Sequence, residues 1–436
     1  MNAFERQTAS SRREFLRTSS TVAALAAAAP AILIRGTAFA ANSDTLKIGL
    51  VGCGGRGSQA AADAMTADGN TVITAIGDVF PEQLKSAVAN LTKNFNDRVQ
   101  LPPEKQFIGL DAYQKVIDSG VDVVLLATPP GFRPTHLRYA IEKGKHVFAE
   151  KPLATDAPGL RHVIESLKMS KEKGLSVVSG YCWRSDLPRR AFYEQVHQGT
   201  LGDLVAVYGT YLTGPVKPMQ SPEQRKPEVG DLEWQLRNWM NFTWLSGDGI
   251  VEQCIHTVDK VMWAFKDEAP IKCSATGGRV TPNYEGNIYD HVTVVYEWAD
   301  GRRAVVAQRQ IPGCHNDNSD YILGSKGKGW SGWNTPYIKS GEQTLWRYKG
   351  KAPNMYEVEH QELFAGIRSG KLRHDGDWMA QSTLVGIMGR MAGYTGQEIS
   401  FEQAMNSKDQ FVPETIDWKV AIPPRPVAVQ GRVKPV

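Results

Sequence analysis

Short apolar runs alternate with helix-length amphipathic segments in the first part of the chain. The runs are continuously apolar, which is typical of strands covered on both faces. The predicted strands are 46–51, 71–76, 121–127, 146–149 and 175–179. The predicted helices are 56–67, 81–92, 133–143 and 156–173, and a polar insertion at 93–106 is expected on the surface. This order predicts a parallel, doubly wound sheet.

The pattern changes after about residue 185. Longer strand-like stretches follow one another, with Gly, Pro and Trp between them and few helices that could cross from strand to strand. The predicted strands are 204–212, 271–280, 290–298 and 302–311, and the predicted helices are 250–265, 356–369 and 376–394. This part of the chain is therefore predicted to be an α+β domain with a largely antiparallel, open-faced sheet.

Length and composition agree with two packed domains. The chain has 436 residues, of which 42% are hydrophobic and 22% charged, and a formal net charge of only +4. This balance gives no reason to expect a nucleic acid or an anionic membrane as partner. The five cysteines form no CxxC pair, so neither a disulfide framework nor a metal site is predicted.

The first forty residues are predicted to be a twin-arginine export signal. Arg12 and Arg13 precede Phe15 and Leu16, and an alanine-rich run ends in an A-x-A cleavage site at Ala40. A basic arm followed by a short buried helix is the alternative. Export through the twin-arginine machinery would place the mature chain in the periplasm. It carries no apolar run long enough for a membrane anchor.

A glycine-rich turn follows the first predicted strand and precedes a helix. Gly52, Gly54 and Gly57 match GxGxxG, with Gly55 between them, and this context makes the motif the dinucleotide-binding turn of a Rossmann domain. Asp78 lies 21 residues beyond Gly57, where a carboxylate accepts hydrogen bonds from the adenosine ribose and repels a 2′-phosphate. NAD is therefore favoured over NADP.

Arg56 complicates that preference. It stands inside the glycine turn, where a guanidinium could contact a phosphate of the cofactor. A contact with the pyrophosphate and a solvated position are equally reasonable.

Three further segments carry a family resemblance. They are 127–130 (Ala-Thr-Pro-Pro), 144–154 with Glu150, Lys151 and Pro152, and 246–259 with His256. With these the chain resembles the glucose–fructose oxidoreductase, inositol dehydrogenase and MocA family (Gfo/Idh/MocA). In that family the last segment usually has three glycines and an Asp four residues before the His. Here only Gly247 of the triplet is kept, and Glu252 replaces the Asp.

The resemblance implies the catalytic roles. Lys151 would contact a substrate hydroxyl and take part in proton transfer. His256 would act as acid and base at the carbon that gives its hydride to the nicotinamide, and the peptide bond before Pro152 would be cis. Glu252 and His256 are four residues apart, so a continuous helix would place both on one face, where the carboxylate could orient the imidazole. A surface Glu–His pair is the alternative.

Other positions are predicted to complete the site. Further cofactor contacts are expected from Thr128, Pro129, His136, Glu150, Lys151 and Arg184. Substrate contacts are expected from Tyr181, Trp239, Asp259 and Tyr289. The domain bounds are 44–184 for the Rossmann domain, 185–422 for the second domain and 423–436 for an extended arm. By resemblance, a homo-oligomer, dimer or tetramer, is expected.

These features predict an exported oxidoreductase that acts on a CH–OH group of a sugar, glycoside or polyol. An exported enzyme finds no maintained pool of free nicotinamide, so its NAD should be tightly bound and recycled in place. The alternatives are a redox-neutral glycosidase or lyase that works through a transient keto-sugar, and a non-catalytic sugar-binding protein that retains the fold.

Overall fold

The structure is a computed structural model that describes residues 45–434. The predicted export signal and the last two residues of the predicted arm lie outside the described residues. Among the helices of residues 45–434, none is long and apolar enough to cross a membrane.

The first sheet has six parallel strands in the order β3-β2-β1-β4-β5-β6. Its strands are β1 Leu46–Val51, β2 Thr71–Asp78, β3 Gln106–Ile108, β4 Val123–Leu126, β5 His146–Ala149 and β6 Val177–Ser179. Its helices are α1 Gly55–Ala67, α2 Pro81–Phe95, α3 Ala112–Asp118, α4 Arg133–Glu142 and α5 Ala157–Glu172. The predicted doubly wound sheet is confirmed, although β3 and α3 were not predicted.

Two cores explain the continuously apolar runs. In β4, Val124 and Leu126 belong to one buried cluster, whereas Val123 and Leu125 belong to another. Successive side chains of a strand point to opposite faces, so a sheet with helices on both sides needs an apolar residue at every position.

The second sheet has nine strands in the order β14-β13-β12-β11-β7-β10-β9-β8-β15. Its neighbouring strands are antiparallel except β7 and β10, which are parallel. The strands are β7 Leu204–Thr213, β8 Lys272–Gly278, β9 His291–Glu297, β10 Arg303–Gln310, β11 Asp320–Gly324, β12 Lys328–Ser331, β13 Tyr337–Ser340, β14 Gln343–Arg347 and β15 Ile399–Ser400. The predicted largely antiparallel sheet is confirmed, and the parallel pair β7 and β10, which was not predicted, makes it a mixed sheet.

Eight helices of the described chain follow the first sheet. They are α6 Leu187–His197, α7 Asp231–Arg237, α8 Thr243–Ser246, α9 Gly249–Glu252, α10 Ile255–Ala264, α11 Met355–Ser369, α12 Gly376–Thr395 and α13 Phe401–Asn406. Helix α10 packs on one face of the second sheet, where a Cβ on Gly209 would lie 2.5 Å from Thr257. The opposite face exposes Tyr208 and Tyr321, which stack with centroids 5.8 Å apart.

Helix α11 returns to the first sheet. Its residues Leu363, Phe364 and Ile367 are buried in the same core as Ile48 and Phe148. Helix α11 is therefore close enough to the first sheet for one of its residues to reach the site described next.

The predicted C-terminal arm packs on its own chain. The side chain of Gln430 donates a 2.7 Å hydrogen bond to the carbonyl of Gly393.

Candidate active site

The glycine turn lies at the carboxyl end of β1. Gly52 has φ +95°, a conformation that favours glycine, and a Cβ on Gly57 would lie 1.8 Å from the carbonyl oxygen of Gly52. At Gly54 and Gly55 a Cβ would meet no described atom within 4 Å. Gly54 precedes α1, so the N–H groups that begin this helix are available to an anion. These glycines line a cleft of about 370 Å³, called here the cofactor cleft.

Asp78 lines the same cleft from the end of β2. Its carboxylate accepts hydrogen bonds from the backbone N–H of Cys53 (2.6 Å) and of Phe80 (2.8 Å), which hold it beside the glycine turn. Burial raises the pKa of this carboxyl. Each carboxylate oxygen has a second lone pair, so Asp78 can still accept from a ribose hydroxyl.

Arg56 is held by acids of its own chain. Its guanidinium pairs with Asp63 at 2.8 Å and with Glu150 at 3.0 Å, and it lies 4.8 Å from the ring centre of Tyr356 in α11. The side chain of Arg56 is 36% exposed, but its charge is compensated by these two acids. Two carboxylates already balance its charge, which makes it a weak site for the 2′-phosphate of NADP.

Thr128, Pro129 and His136 also line the cofactor cleft. The Thr128 hydroxyl shares a 3.2 Å hydrogen bond with His136 Nδ1, and the imidazole stacks on Tyr113 with centroids 4.1 Å apart. Burial, followed by the charge of Arg133, lowers the pKa of His136 to about 3. The histidine is thus a neutral part of the lining.

A segment of the second domain covers part of the cofactor cleft. Residues 214–242, called here the cover segment, contribute Lys217, Gln220, Leu236, Arg237 and Trp239 to the lining. Arg237 pairs with Glu82 at 2.7 Å, and its guanidinium carbon lies 4.2 Å from the ring centre of Phe80. Of these residues only Trp239 was predicted, as a substrate contact, because the sequence of a loop does not indicate which part of another domain it packs against.

Lys151 lies in a second cleft of about 360 Å³, called here the catalytic cleft. Its ammonium group donates to the carbonyl oxygen of Glu252 at 2.6 Å and to the carboxylate of the same residue at 2.8 Å. Helix α9 ends at Glu252 and α10 begins only at Ile255, so the carbonyl of Glu252 lies at a helix end, where it can accept from a side chain. The Lys151–Pro152 peptide is cis, as the resemblance implied.

Glu252 and His256 differ from their expected arrangement. The predicted continuous helix is wrong at this point, because Glu252 ends α9 and His256 belongs to α10. The Glu252 carboxylate binds Lys151 and the Gln253 amide, whereas His256 Nδ1 is buried with no hydrogen-bond partner among residues 45–434. The carboxylate therefore orients the lysine rather than the imidazole.

His256 is neutral. Burial, followed by the charges of Lys151, Lys260 and Arg56, lowers the pKa of His256 well below its usual range. The imidazole meets Tyr181 and Trp183 edge to face, with centroids 6.3 and 6.4 Å away. It lines the catalytic cleft together with Lys151, Glu150 and Glu252.

Four predicted site residues lie outside the linings of both clefts: Tyr181, Arg184, Asp259 and Tyr289. Arg184 is held by Asp259 at 2.9 Å and by Asp267 at 2.6 Å, so it has no need of a cofactor phosphate to balance its charge. The hydroxyls of Tyr181 and Tyr289 bond to a buried threonine and to a backbone carbonyl of the arm. The polar groups of these residues are therefore bound by partners within the chain.

The two clefts are continuous in their lining. Arg56, Ala127, Thr128 and Trp239 contribute to both. Within the described chain, no group of three or more His, Cys, Asp or Glu side chains could hold a metal ion. The arrangement is therefore a dinucleotide site that opens onto a lysine, a carboxylate and a neutral histidine.

Comparison with known proteins agrees with this geometry. Residues 46–181 match the model of the Gfo/Idh/MocA oxidoreductase family, NAD-binding Rossmann fold. This domain belongs to that family. The chain therefore contains the NAD-binding domain of a Gfo/Idh/MocA-type oxidoreductase.

Individual relatives are distant. The oxidoreductase is 24% identical to an inositol 2-dehydrogenase of Acidothermus cellulolyticus over 346 residues, 78% of this chain and 89% of the relative. It is 28% identical to a glycosyl hydrolase family 109 protein of Streptomyces coelicolor over 178 residues, 41% of this chain and 36% of the relative. The structure of an aldose–aldose oxidoreductase from Caulobacter crescentus, complexed with glycerol, shares the fold, with TM-score 0.64, 18% identity and coverage of 82% and 99%.

Proposed function

We propose that this oxidoreductase removes a hydride from a CH–OH group of a sugar, glycoside or polyol and passes it to NAD. The observation that carries the proposal is the position of Lys151 and His256, which line a cleft continuous with the cofactor cleft. The names of the relatives, an inositol dehydrogenase and an aldose–aldose oxidoreductase, support this class of substrate.

Lys151 and His256 have different roles in the proposed reaction. An ammonium group has three N–H donors, and Lys151 uses two of them on Glu252, which leaves one for the substrate oxygen. The neutral His256 accepts the hydroxyl proton as the C–H bond breaks, and Lys151 stabilises the negative charge that develops on the oxygen. When bound, NAD supplies the hydride acceptor. The substrate would leave as a carbonyl compound, with its hydroxyl proton on His256 and its hydride on the bound cofactor.

The cofactor is retained between turnovers in this proposal. The cover segment contributes to the lining of the cofactor cleft, and Arg237 joins it to Glu82 and Phe80, just beyond Asp78. A cofactor that does not leave must be returned to its oxidised state in place, by a second carbonyl substrate or by reduction of the transient ketone. The name of the aldose–aldose oxidoreductase describes such a pair of substrates.

Export through the twin-arginine pathway completes the proposal. The support is the Arg12–Arg13 pair and the A-x-A site at Ala40. Export of a folded protein would carry bound NAD into the periplasm. Changing Arg12 and Arg13 to Lys should leave the full-length precursor in the cytoplasm, as measured by immunoblots of cell fractions. An unchanged periplasmic fraction would contradict export by this route.

Native mass spectrometry tests the cofactor, since it reports the identity and occupancy of a bound nucleotide together with the subunit count. The same sample is then mixed with candidate sugars and polyols while absorbance is recorded at the wavelength of reduced nicotinamide. The proposal requires bound NAD that a sugar reduces. A protein that carries no nicotinamide and cannot be loaded with any would refute it.

A redox-neutral glycosidase or lyase is the second candidate. It is favoured by the likeness to a glycosyl hydrolase family 109 protein, which covers 41% of this chain. In this reaction, oxidation beside the glycosidic bond acidifies the neighbouring C–H, elimination breaks the bond, and the ketone is then reduced. Release of nitrophenol from nitrophenyl glycosides in deuterated water would place deuterium on that neighbouring carbon. Release without deuterium would exclude this mechanism.

The open face of the second sheet supports assembly with further copies of the chain, as a dimer or tetramer. Tyr208, Tyr321 and Leu323 expose 40% or more of their surfaces there. Contiguous apolar surface of this kind is typical of protein interfaces. Light scattering should give the mass of an oligomer, and the Tyr208→Asp variant should reduce it, whereas a monomeric wild type would contradict the proposal.

A further inference from the structure

Trp333 stands at the mouth of the catalytic cleft. It lies between β12 and β13 and exposes 74% of its surface, although it contributes to the lining of the cleft that holds Lys151 and His256. Because most of its indole remains in contact with water, Trp333 contributes little buried apolar area to the stability of the fold. Its neighbours show how it is held.

The indole of Trp333 rests on a fixed support. Trp183 meets it edge to face, with centroids 5.5 Å apart and ring planes at 68°. The guanidinium of Arg189 lies 3.7 Å from the ring centre of Trp183 and donates a 2.6 Å hydrogen bond to the carbonyl of Gly332. Arg189 is itself paired with Asp186 at 2.7 Å. The loop that carries Trp333 is therefore tied to the aromatic wall beside His256.

Asn318 adds an unused hydrogen-bond acceptor. Its side chain is only 9% exposed and lines the same cleft, and its Oδ1 has no partner in the described part of the chain. Asp320 pairs with Ser331 at the end of the antiparallel ladder of β11 and β12, and Asn318 and Trp333 each lie two residues beyond that pair. A buried acceptor without a partner is costly unless a ligand supplies the donor.

We propose that Trp333 and Asn318 form an outer subsite for a ring joined through a glycosidic oxygen to the sugar that is oxidised. This inference rests on the proposed function and narrows its substrate class to glycosides, rather than free monosaccharides or polyols. The indole face covers the apolar face of the outer ring, and Asn318 accepts a hydroxyl of that ring if it is a sugar. The ring centroids of His256 and Trp183 are 6.4 Å apart and those of Trp183 and Trp333 are 5.5 Å apart, so the ring of Trp183 contacts both the catalytic histidine and the proposed subsite.

Paired substrates test the subsite. Glucose and galactose are used, each in both anomeric forms, as a methyl and a phenyl glycoside. The two members of such a pair differ only in the outer group. The disaccharides maltose, cellobiose and lactose carry a sugar in that position. The Trp333→Ala variant should raise KM about tenfold for the phenyl glycosides and disaccharides and less than about twofold for the methyl glycosides. Asn318→Ala should weaken the disaccharides alone. The same loss for every substrate would overturn the proposal.

A matched variant controls for the loss of an exposed indole. Trp418, which is 39% exposed and lies outside the linings of both clefts, is changed to Ala. This variant should keep the wild-type KM for every substrate. If Trp333→Ala instead changes the oligomeric mass and leaves the KM ratios unaltered, Trp333 belongs to an interface and the subsite is refuted.

A binding measurement separates the subsite from the chemistry. Tryptophan fluorescence is titrated with phenyl β-D-glucoside and with cellobiose in the wild type, in Trp333→Ala and in Trp418→Ala. Quenching that Trp333→Ala alone loses supports the subsite even if no sugar reduces bound NAD, in which case the proposed redox function fails while the subsite remains. Reduction of NAD by monosaccharides, with no quenching that depends on Trp333, would refute the subsite and leave the redox function standing.

Discussion

Arg237→Ala should accelerate the release of NAD. Arg237 joins the cover segment to the first domain through its ion pair with Glu82 at 2.7 Å and through its position over Phe80 at 4.2 Å. Both contacts lie just beyond Asp78, where the adenosine half of the cofactor is expected. Removing the guanidinium leaves the glycine turn and Asp78 unchanged, but it removes the contacts that hold this end of the cover segment.

The magnitude follows from the exposure of the pair. The side chains of Arg237 and Glu82 are 35% and 54% exposed, so solvent screening reduces their ion pair to about 0.5 kcal/mol. A cation–π contact at an exposed site adds about 0.5–1 kcal/mol. The sum of about 1–1.5 kcal/mol corresponds to a dissociation rate about five to ten times faster, if the contacts break before NAD leaves.

The assay follows the fluorescence of NADH on the protein after dilution into excess NAD. Arg303→Ala is the matched control, because Arg303 forms an exposed ion pair with Glu297 at 2.9 Å on the second sheet. High salt should shorten retention in the wild type and have less effect on Arg237→Ala. Equal dissociation rates in the two variants would refute the role given to the cover segment.

Three further predictions concern the catalytic cleft, the buried histidines and the glycine turn. Lys151→Met should lower turnover by a factor of about 10²–10⁴ while bound NAD per subunit, measured by absorbance, stays constant; turnover within a factor of two would remove Lys151 from the mechanism. His360 is fully buried, neither of its ring nitrogens has a partner in the described chain, and its pKa is lowered to about 3, chiefly by burial. Below about pH 6.5 this histidine is protonated in the unfolded chain but not in the folded chain, so acid lowers the free energy of unfolding. The His360→Phe variant should lose about 2 kcal/mol less than the wild type between pH 7 and pH 5, as measured by urea unfolding. An unchanged pH dependence would contradict this. Gly57→Ala should destabilise or unfold the protein, because its Cβ would lie 1.8 Å from a carbonyl oxygen, whereas Gly54→Ala should keep the thermal midpoint and lose NAD; the reverse order of effects would be incompatible with the turn described.

The first sheet could be predicted because both of its faces are buried, so nearly every position of its central strands is apolar. A strand such as β4 has one core on each side, and the resulting apolar run is visible without knowledge of its neighbours. Strands β11 to β14 were missed because one face of the second sheet is open. Tyr321 and Leu323 alternate there with buried residues, and β14 is largely exposed, so neither pattern nor composition separates these strands from loops.

The site was predicted where its chemistry is local in the chain. The glycine turn, Asp78 and Lys151 follow directly from strands, and the structure places all of them on the two clefts. Arg184 was misplaced because its partners, Asp259 and Asp267, lie far along the sequence and already balance its charge. The partner of Glu252 was misjudged because a helix break cannot be recognised from a spacing of four residues.

That break also bears on how the site can change without losing its lysine. Lys151 is held by a main-chain oxygen as well as by the carboxylate of Glu252. A carbonyl oxygen is present whatever residue occupies position 252, so the place of the ammonium group does not depend on the length of an acidic side chain. A longer acid can therefore stand where relatives carry a shorter one. The charge beside Lys151 can therefore change with the residue at position 252, while the main-chain oxygen still holds the ammonium group in place.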